Sequence, residues 1–364
     1  MLEKKKNNMI IGIEFRAISN GGGERILYML AKSFARYGHT VVILSWNPAW
    51  IHEVIDFPHE LYILKKSPEW GNGLSSVREL SKVVKKFKID CLVSFLNTPL
   101  RVFIGAARLN NIPVITSLRI EPKFPTFVQK LMKMMIWCCD GAVFQTQTVR
   151  NTFKGRIFKN SIVIHNPIMD DNLPIAHDSE YNKEIVGIGR LTEQKNFALL
   201  VDAFAEVNPK DYTLKIYGEG HLRGDLEKQI ERLGMQDKIF LMGRVDRVVD
   251  HIVDSDIFVL SSVWEGMPNA LMESMAMGLA CIATDVPTGG CRDLIVQGEN
   301  GLLVPVQDKE NLKNALIKVI NNEELKNKMK RKGMKIRESH SKDVIIPQWL
   351  SFIESKCRQR KGNK

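Results

Sequence analysis

SSVWEGMPNALMESMAMGLACIAT, residues 261–284, decides how the second half of this chain folds. The run DIFVLSS (256–262) reads as a buried strand, and LACIAT (279–284) reads as the next one. Between them NALMESMAM (269–277) has the spacing of a helix, with Gly278 to stop it. Pro268 is expected in the first helical turn, where its missing N–H costs nothing. Strand, loop, helix, strand is the repeating unit of a parallel α/β sheet. The loop EGMP (265–268) then lies at the carboxyl end of a strand and the start of a helix. Open α/β sheets bind ligands there, and a helix end favours an anion such as a phosphate.

Two acids, Glu265 and Glu273, sit eight positions apart in this apolar stretch. Eight helical residues rise about 12 Å, whereas paired hydrolytic carboxylates stand roughly 5–9.5 Å apart. The spacing disfavours an acid–base pair on one glycosidic bond. It fits two separate roles, each carboxylate accepting hydrogen bonds from a diol. The plainer alternative stays open for each: a carboxylate stabilised near a helix end, and a solvated loop acid.

The same pattern extends outward. In the second half EIVGIGR (184–190), YTLKIYG (212–218) and KIFLMG (238–243) read as strands. FALLVDAFAEV (197–207), GDLEKQIERLG (224–234), NLKNALIKVI (311–320) and 323–339 read as helices. In the first half MIIGIEF (9–15), TVVILS (40–45), DCLVSFL (90–96), PVITSLR (113–119), GAVFQT (141–146) and SIVIHNP (161–167) read as strands. Helices are expected over 23–38 and 76–88, and a last one over 345–358. The Asn-, Asp- and Pro-rich stretch 166–184 reads as a linker. Two doubly wound, Rossmann-like α/β domains facing one cleft are therefore expected, residues 1–170 and 171–344, with the tail 345–364 crossing back to the first. A length of 364 residues suits two such cores.

Composition narrows the class. Hydrophobic content of 44% and charged content of 26% are those of an ordinary globular protein, and no apolar run reaches the roughly 18 residues of a membrane span. MLEKKKNN is expected to be a loose tail, and MIIGI after it is too short for a signal-peptide core, so a cytoplasmic protein is expected. The six cysteines include no C-x-x-C pair, which points to neither a zinc site nor a disulfide framework. The net charge of +11 is uneven: residues 1–170 hold 24 Lys+Arg against 12 Asp+Glu, and residues 171–340 hold 22 against 27. A basic half of this kind fits an anionic partner or a merely soluble surface. The stretch KFPTFVQKLMKMMIWCCD (123–140) interleaves lysines with Phe124, Phe127, Met134 and Trp137 as a basic amphipathic helix would. It reads either as a peripheral anchor on the inner face of an anionic membrane or as a core helix with surface lysines.

Three loops add candidate groups. GRLTEQKN (189–196) follows a strand: Gly189 permits a turn, and Arg190 and Lys195 place two cations at the sheet's carboxyl edge, able to neutralise a diphosphate. SNGGGER (19–25) is not the dinucleotide fingerprint G-x-G-x-x-G, yet its glycines let a ligand approach a helix start. YGEGHLR (217–223) and VPTGGCRDLIVQGENGLLVP (286–305) are further glycine turns on the same edge.

Together GGGE, GRLTEQKN, GEG, the E-x7-E element EGMPNALME and GGCRDLIVQGENGLLVP resemble the family-four retaining glycosyltransferases of the GT-B fold, over nearly the whole chain. The resemblance implies a nucleotide-sugar donor, by family habit a UDP-sugar, on the C-terminal domain. It implies a saccharide or lipid-diphosphate-linked acceptor on the N-terminal one, in bacterial surface-polysaccharide synthesis. It implies Arg190 and Lys195 on the donor diphosphate, Glu265 on the transferred sugar and Glu273 on the ribose. Backbone at Gly266, Met267, Pro268, Asn269 and Ala270 would face the donor, with Gly189 and Gly218 beside it. Gly243, Arg244 and Val245 would face the base, and Gly22 and Gly23 would close over the phosphates. It implies no metal and no cofactor. Where many members carry a histidine, ITSLRIEP offers Arg119 and Glu121, taken as acceptor-side candidates. Two other classes remain for comparison: a nucleotide-sugar epimerase or hydrolase of the same fold, and a basic nucleic-acid-binding protein. The second lacks any recognised nucleic-acid module.

Overall fold

The apolar runs assemble into two parallel sheets. The computed structural model describes residues 8–15, 22–46, 55–65, 73–95, 100–118, 126–168, 172–175 and 182–362, with the backbone alone at 22 and 126–129. Contacts divide the chain into one unit of Met1–Met169 with Lys342–Lys364 and another of Asp170–Ser341.

In chain order the first unit holds β1 (Ile10–Phe15), α1 (Gly22–Arg36), β2 (Thr40–Ser45), β3 (Glu60–Ile63), α2 (Gly73–Phe87), β4 (Cys91–Ser94), α3 (Leu100–Asn110), β5 (Val114–Leu118), α4 (Thr126–Trp137), β6 (Gly141–Phe144), α5 (Gln147–Asn151), α6 (Gly155–Lys159) and β7 (Ser161–Val163). The second holds β8 (Asn182–Ile188), α7 (Phe197–Val207), β9 (Thr213–Tyr217), α8 (Arg223–Arg232), β10 (Ile239–Gly243), α9 (Val248–Ile252), β11 (Ser255–Leu260), α10 (Asn269–Met277), β12 (Ala280–Thr284), β13 (Leu302–Val304), α11 (Lys309–Ile320), α12 (Glu323–Gly333) and α13 (Ile336–Ser339). A last helix, α14 (Lys342–Gly362), belongs to the first unit.

The sheet orders are β3-β2-β1-β4-β5-β6-β7 and β10-β9-β8-β11-β12-β13, every pair parallel. In each, strand order reverses beside the first strand, between β1 and β4 and between β8 and β11. The crevice outside such a reversal is where doubly wound sheets take ligands.

Several details differ from the sequence expectation. Edge strand β3 is only four residues, Glu60 exposed and the other three partly buried, too short for a period to show. Helix α3 was hidden by its central Gly105, whose role is close packing: a Cβ there would meet Val77 of α2 at 2.8 Å. Residues 323–339 form two helices, not one, separated at Met334–Lys335. Pro268 lies just outside α10 in an extended conformation, φ −79° and ψ 103°, and supplies no side-chain cap. Helix α14 begins at Lys342 and buries Ile345, Ile346, Trp349, Leu350 and Ile353 in the core of the first sheet, where Trp349 stacks on Phe95 with ring centroids 5.6 Å apart.

The second unit carries an unusual buried charge cluster at the start of β11. Asp256 is 3% exposed and accepts from Tyr212 Oη at 2.5 Å, Lys326 Nζ at 2.7 Å and Lys330 Nζ at 2.6 Å. Burial pushes the Asp256 carboxyl up, but the Lys330 and Lys326 ammonium groups and the Tyr212 hydroxyl outweigh it, leaving it below the usual aspartate value. Burial and the Asp256 hydrogen bond raise the Tyr212 phenol to about 12. Replacing Asp256 with alanine removes the carboxylate shared by two buried ammonium groups, so unfolding should become easier by about 3–5 kcal/mol, read from denaturant titration. Because the folded carboxyl titrates below its unfolded value, this stabilisation is full above the unfolded value. It is lost as pH falls through the depressed one. The Asp256→Ala protein should therefore lose less stability than the wild type over that acidic window.

Candidate active site

Topology brings the two charged loops together. β8 and β11 are neighbours at the point where strand order reverses, so the loops after them, 189–196 and 261–268, leave the same edge side by side. Three hydrogen bonds strap them: Val263 N donates to Gln194 O at 2.8 Å, Gln194 Nε2 to Trp264 O at 3.0 Å, and Ser261 Oγ to Lys195 O at 2.8 Å. Gly189 has φ +155°, and a Cβ on it would sit 2.7 Å from Lys195 Cε. The lysine stem thus runs across the bare glycine, and its Nζ reaches Glu265 Oε1 at 2.6 Å. Both side chains are largely shielded, at 17% and 11% exposed. Ser262 Oγ donates to the same carboxylate oxygen at 2.7 Å. Arg190 is exposed and makes no ion pair among the described residues.

The remaining glycine turns pack backbone on backbone around this pair. A Cβ on Gly218 would fall 1.9 Å from Gly189 O, and one on Gly290 would fall 1.9 Å from Gly266 O. Thr288 Oγ1 donates to Glu265 O at 2.6 Å, which fixes the loop carrying the acid. Gly218 N donates to Gly243 O at 2.8 Å, so the loops after β8, β9 and β10 form one continuous edge. There Gly243 has φ +74°, Arg244 is exposed and Val245 half-buried. Met267 and Pro268 are buried, while Gly266, Asn269, Ala270 and Glu273 are partly exposed, Glu273 lying in the second turn of α10.

In the first unit Gly22 opens α1, and a Cβ on Gly23 would meet nothing within 4 Å. Arg119, Glu121, Lys123 and Phe124 lie outside the described residues. Sequence reasoning passed over Gln194, Ser262 and Thr288. The signal for Ser262 was a polar pair closing an otherwise apolar strand, DIFVLSS. It also passed over Glu14 on β1, fully buried beside the order reversal, which accepts from Ser94 Oγ at 2.6 Å.

The close approach at Gly290 gives a direct check. Gly290→Ala should force the 286–291 and 265–267 loops apart, at a cost of about 1–3 kcal/mol, and lower the melting temperature. Gly224→Ala, whose Cβ meets nothing within 4 Å, should not. Equal melting temperatures for the two variants would show that the loops do not pack in this way.

With this geometry in place, comparison with known proteins identifies the class. The family model "Glycosyl transferases group 1" matches residues 171–336, and "Glycosyltransferase Family 4" matches residues 20–172. An uncharacterized glycosyltransferase of Haemophilus influenzae is 27% identical, covering 92% of this chain and 97% of its own. A Campylobacter jejuni protein is also 27% identical, covering 95% of this chain and 98% of its own. It is named as an alpha-1,4-N-acetyl-D-galactosaminyltransferase acting on a GalNAc-containing diNAcBac-PP-undecaprenol. Anabaena HepE, solved in complex with UDP, superposes with a TM-score of 0.82 at 19% identity, over 95% of this chain and 100% of its own. Its fold is thereby shared with this one. The two models adjoin and together run through both parallel sheets, and the chain belongs to the family-four glycosyltransferases, of GT-B fold.

Proposed function

We propose that this protein moves a hexose or N-acetylhexosamine from a UDP-sugar to a lipid-diphosphate-linked or saccharide acceptor during synthesis of a surface glycan, with retention at the anomeric carbon. The observation that carries this reading is the Lys195–Glu265 pair at the order reversal of the second sheet, with Arg190 exposed on the same loop. The name of the Campylobacter relative, and the UDP in the HepE structure, support the choice of acceptor and donor.

In this proposal the donor lies along the carboxyl edge of the second unit. Arg190 and Lys195 take the diphosphate; the start of α10 adds its partial positive charge. Glu273 accepts from the ribose hydroxyls and Glu265 from those of the transferred sugar. Gly243, Arg244 and Val245 face the base. As the bond from the anomeric carbon to the diphosphate breaks, the two cations hold the developing negative charge. The acceptor oxygen bonds to the same face of that carbon, and its proton passes to an oxygen of the departing diphosphate. No metal or cofactor takes part in this scheme. The acceptor is assigned to the first unit, with Arg119 and Glu121 as its candidate residues and Gly22 and Gly23 as its phosphate-side candidates.

A membrane contact is proposed on α4. Lys130, Lys133, Met134 and Trp137 are all exposed and share one face by their helical spacing, Met134 at 57% and Trp137 at 51%. Apolar tips flanked by lysines suit the boundary of an anionic bilayer. No helix among the described residues is long and apolar enough to cross a membrane.

Thermal stability in a panel of UDP- and GDP-sugars tests the donor site. One UDP-sugar should stabilise the wild type, and Glu273→Ala should abolish that shift; an unchanged shift in the variant would return Glu273 to a helix-end acid. Lys195→Ala should lower kcat by about 10²–10³-fold. Accumulation of free or epimerised sugar without transfer to any acceptor would point to the hydrolase or epimerase alternative. Sedimentation with phosphatidylglycerol vesicles at low salt should fail for a Lys130→Glu, Lys133→Glu, Trp137→Ala protein; binding equal to wild type would exclude α4 as the anchor.

A further inference from the structure

We propose that Ser262 is the positioning residue that keeps Glu265 aimed at the transferred sugar once the donor has drawn Lys195 away. The inference rests on the reading that Glu265 binds that sugar. Ser262 is fully buried, so its hydroxyl serves a partner inside the protein. A buried hydroxyl without such a partner would be a net cost.

Both hydrogen bonds to the Glu265 carboxylate fall on one oxygen. Oε1 accepts from Lys195 Nζ at 2.6 Å and from Ser262 Oγ at 2.7 Å, while Oε2 accepts from no other described residue. The carboxylate is thus turned with one oxygen fixed and the other available to a ligand. The two donors are unlike. Lys195 is a flexible point charge on a four-carbon stem, and an arriving diphosphate competes for it directly. Ser262 cannot follow: Thr284 Oγ1, on the neighbouring strand, donates to Ser262 O at 2.5 Å and to Leu260 O at 3.2 Å. When the ammonium turns to phosphate, the Ser262 hydroxyl is the donor left on Oε1. Thr288 meanwhile holds the backbone of Glu265 through its carbonyl. Ser262 touches no substrate itself; it acts through Glu265.

The test is calorimetric binding of UDP and of UDP-glucose, UDP-galactose and their N-acetyl counterparts to the full chain. The measured quantity is the affinity advantage of the preferred UDP-sugar over UDP. Ser262→Ala should leave the affinity for UDP within twofold and reduce that advantage roughly tenfold, as loss of a hydrogen bond to a charged group would. Ser262→Thr should restore it. Ser262→Cys, of nearly the same size but a weak donor, should lie between and serves if the alanine variant unfolds. A general structural defect would weaken UDP and UDP-sugar alike, which overturns the proposal. An unchanged advantage in Ser262→Ala, alongside its loss in Glu265→Ala, overturns the positioning role and spares the donor-site reading. An unchanged advantage in Glu265→Ala, or a wild type that prefers no UDP-sugar over UDP, overturns both.

Discussion

The carboxyl edge of the second sheet depends on backbone passing closer to backbone than any side chain permits. Gly218 lies against the carbonyl of Gly189, and Gly290 against that of Gly266, each leaving 1.9 Å where a Cβ would be. These approaches bring four loops onto one short edge. The missing Cβ of Gly189 itself leaves the path along which the Lys195 stem crosses to meet Glu265. The ion pair at the centre is thus a product of glycine placement as much as of charge. Two loops some 70 residues apart in sequence share it because β8 and β11 are adjacent where strand order reverses.

The two ends of the same sheet use charge in opposite ways. At the amino end, Asp256 is saturated by Tyr212, Lys326 and Lys330, and Glu184 by Lys215 and Ser255. Those groups hold strands and α12 together and offer nothing to a ligand. At the carboxyl end Arg190 stays exposed and one oxygen of Glu265 takes no hydrogen bond from the described residues. The polar groups at the amino end are satisfied within the protein, and in the proposed function those at the carboxyl end are left for the donor. A donor diphosphate would complete the second set without disturbing the first.

Much of this was legible in the residues. Strands such as VVIL and DIFVL are continuous apolar runs because both faces of a parallel sheet are covered. The E-x7-E and GRLTEQKN blocks marked two loops that the fold brings side by side at one edge. What sequence alone could not show were contacts made across the chain. Nothing local distinguishes Ser262 from a strand-end serine, or Thr288 from a turn threonine; their partners are set by the stacking of loops from different strands. Nor does anything local mark Gly105 as the place where α2 and α3 touch, a Cβ there meeting Val77 at 2.8 Å. Pro268 looked like a first-turn residue, but the extended chain at the glycine contact of Gly266 leaves it outside α10.

Where the donor sits decides the function of this edge. A crystal structure of the protein with its preferred UDP-sugar is the most direct measurement. The diphosphate should lie within hydrogen-bond reach of Arg190 and Lys195, with the ribose on Glu273, the sugar on Oε2 of Glu265, and Ser262 still bonded to Oε1. A nucleotide-sugar bound away from the carboxyl edge of β8 and β11, with the Lys195–Glu265 pair undisturbed, would contradict this placement.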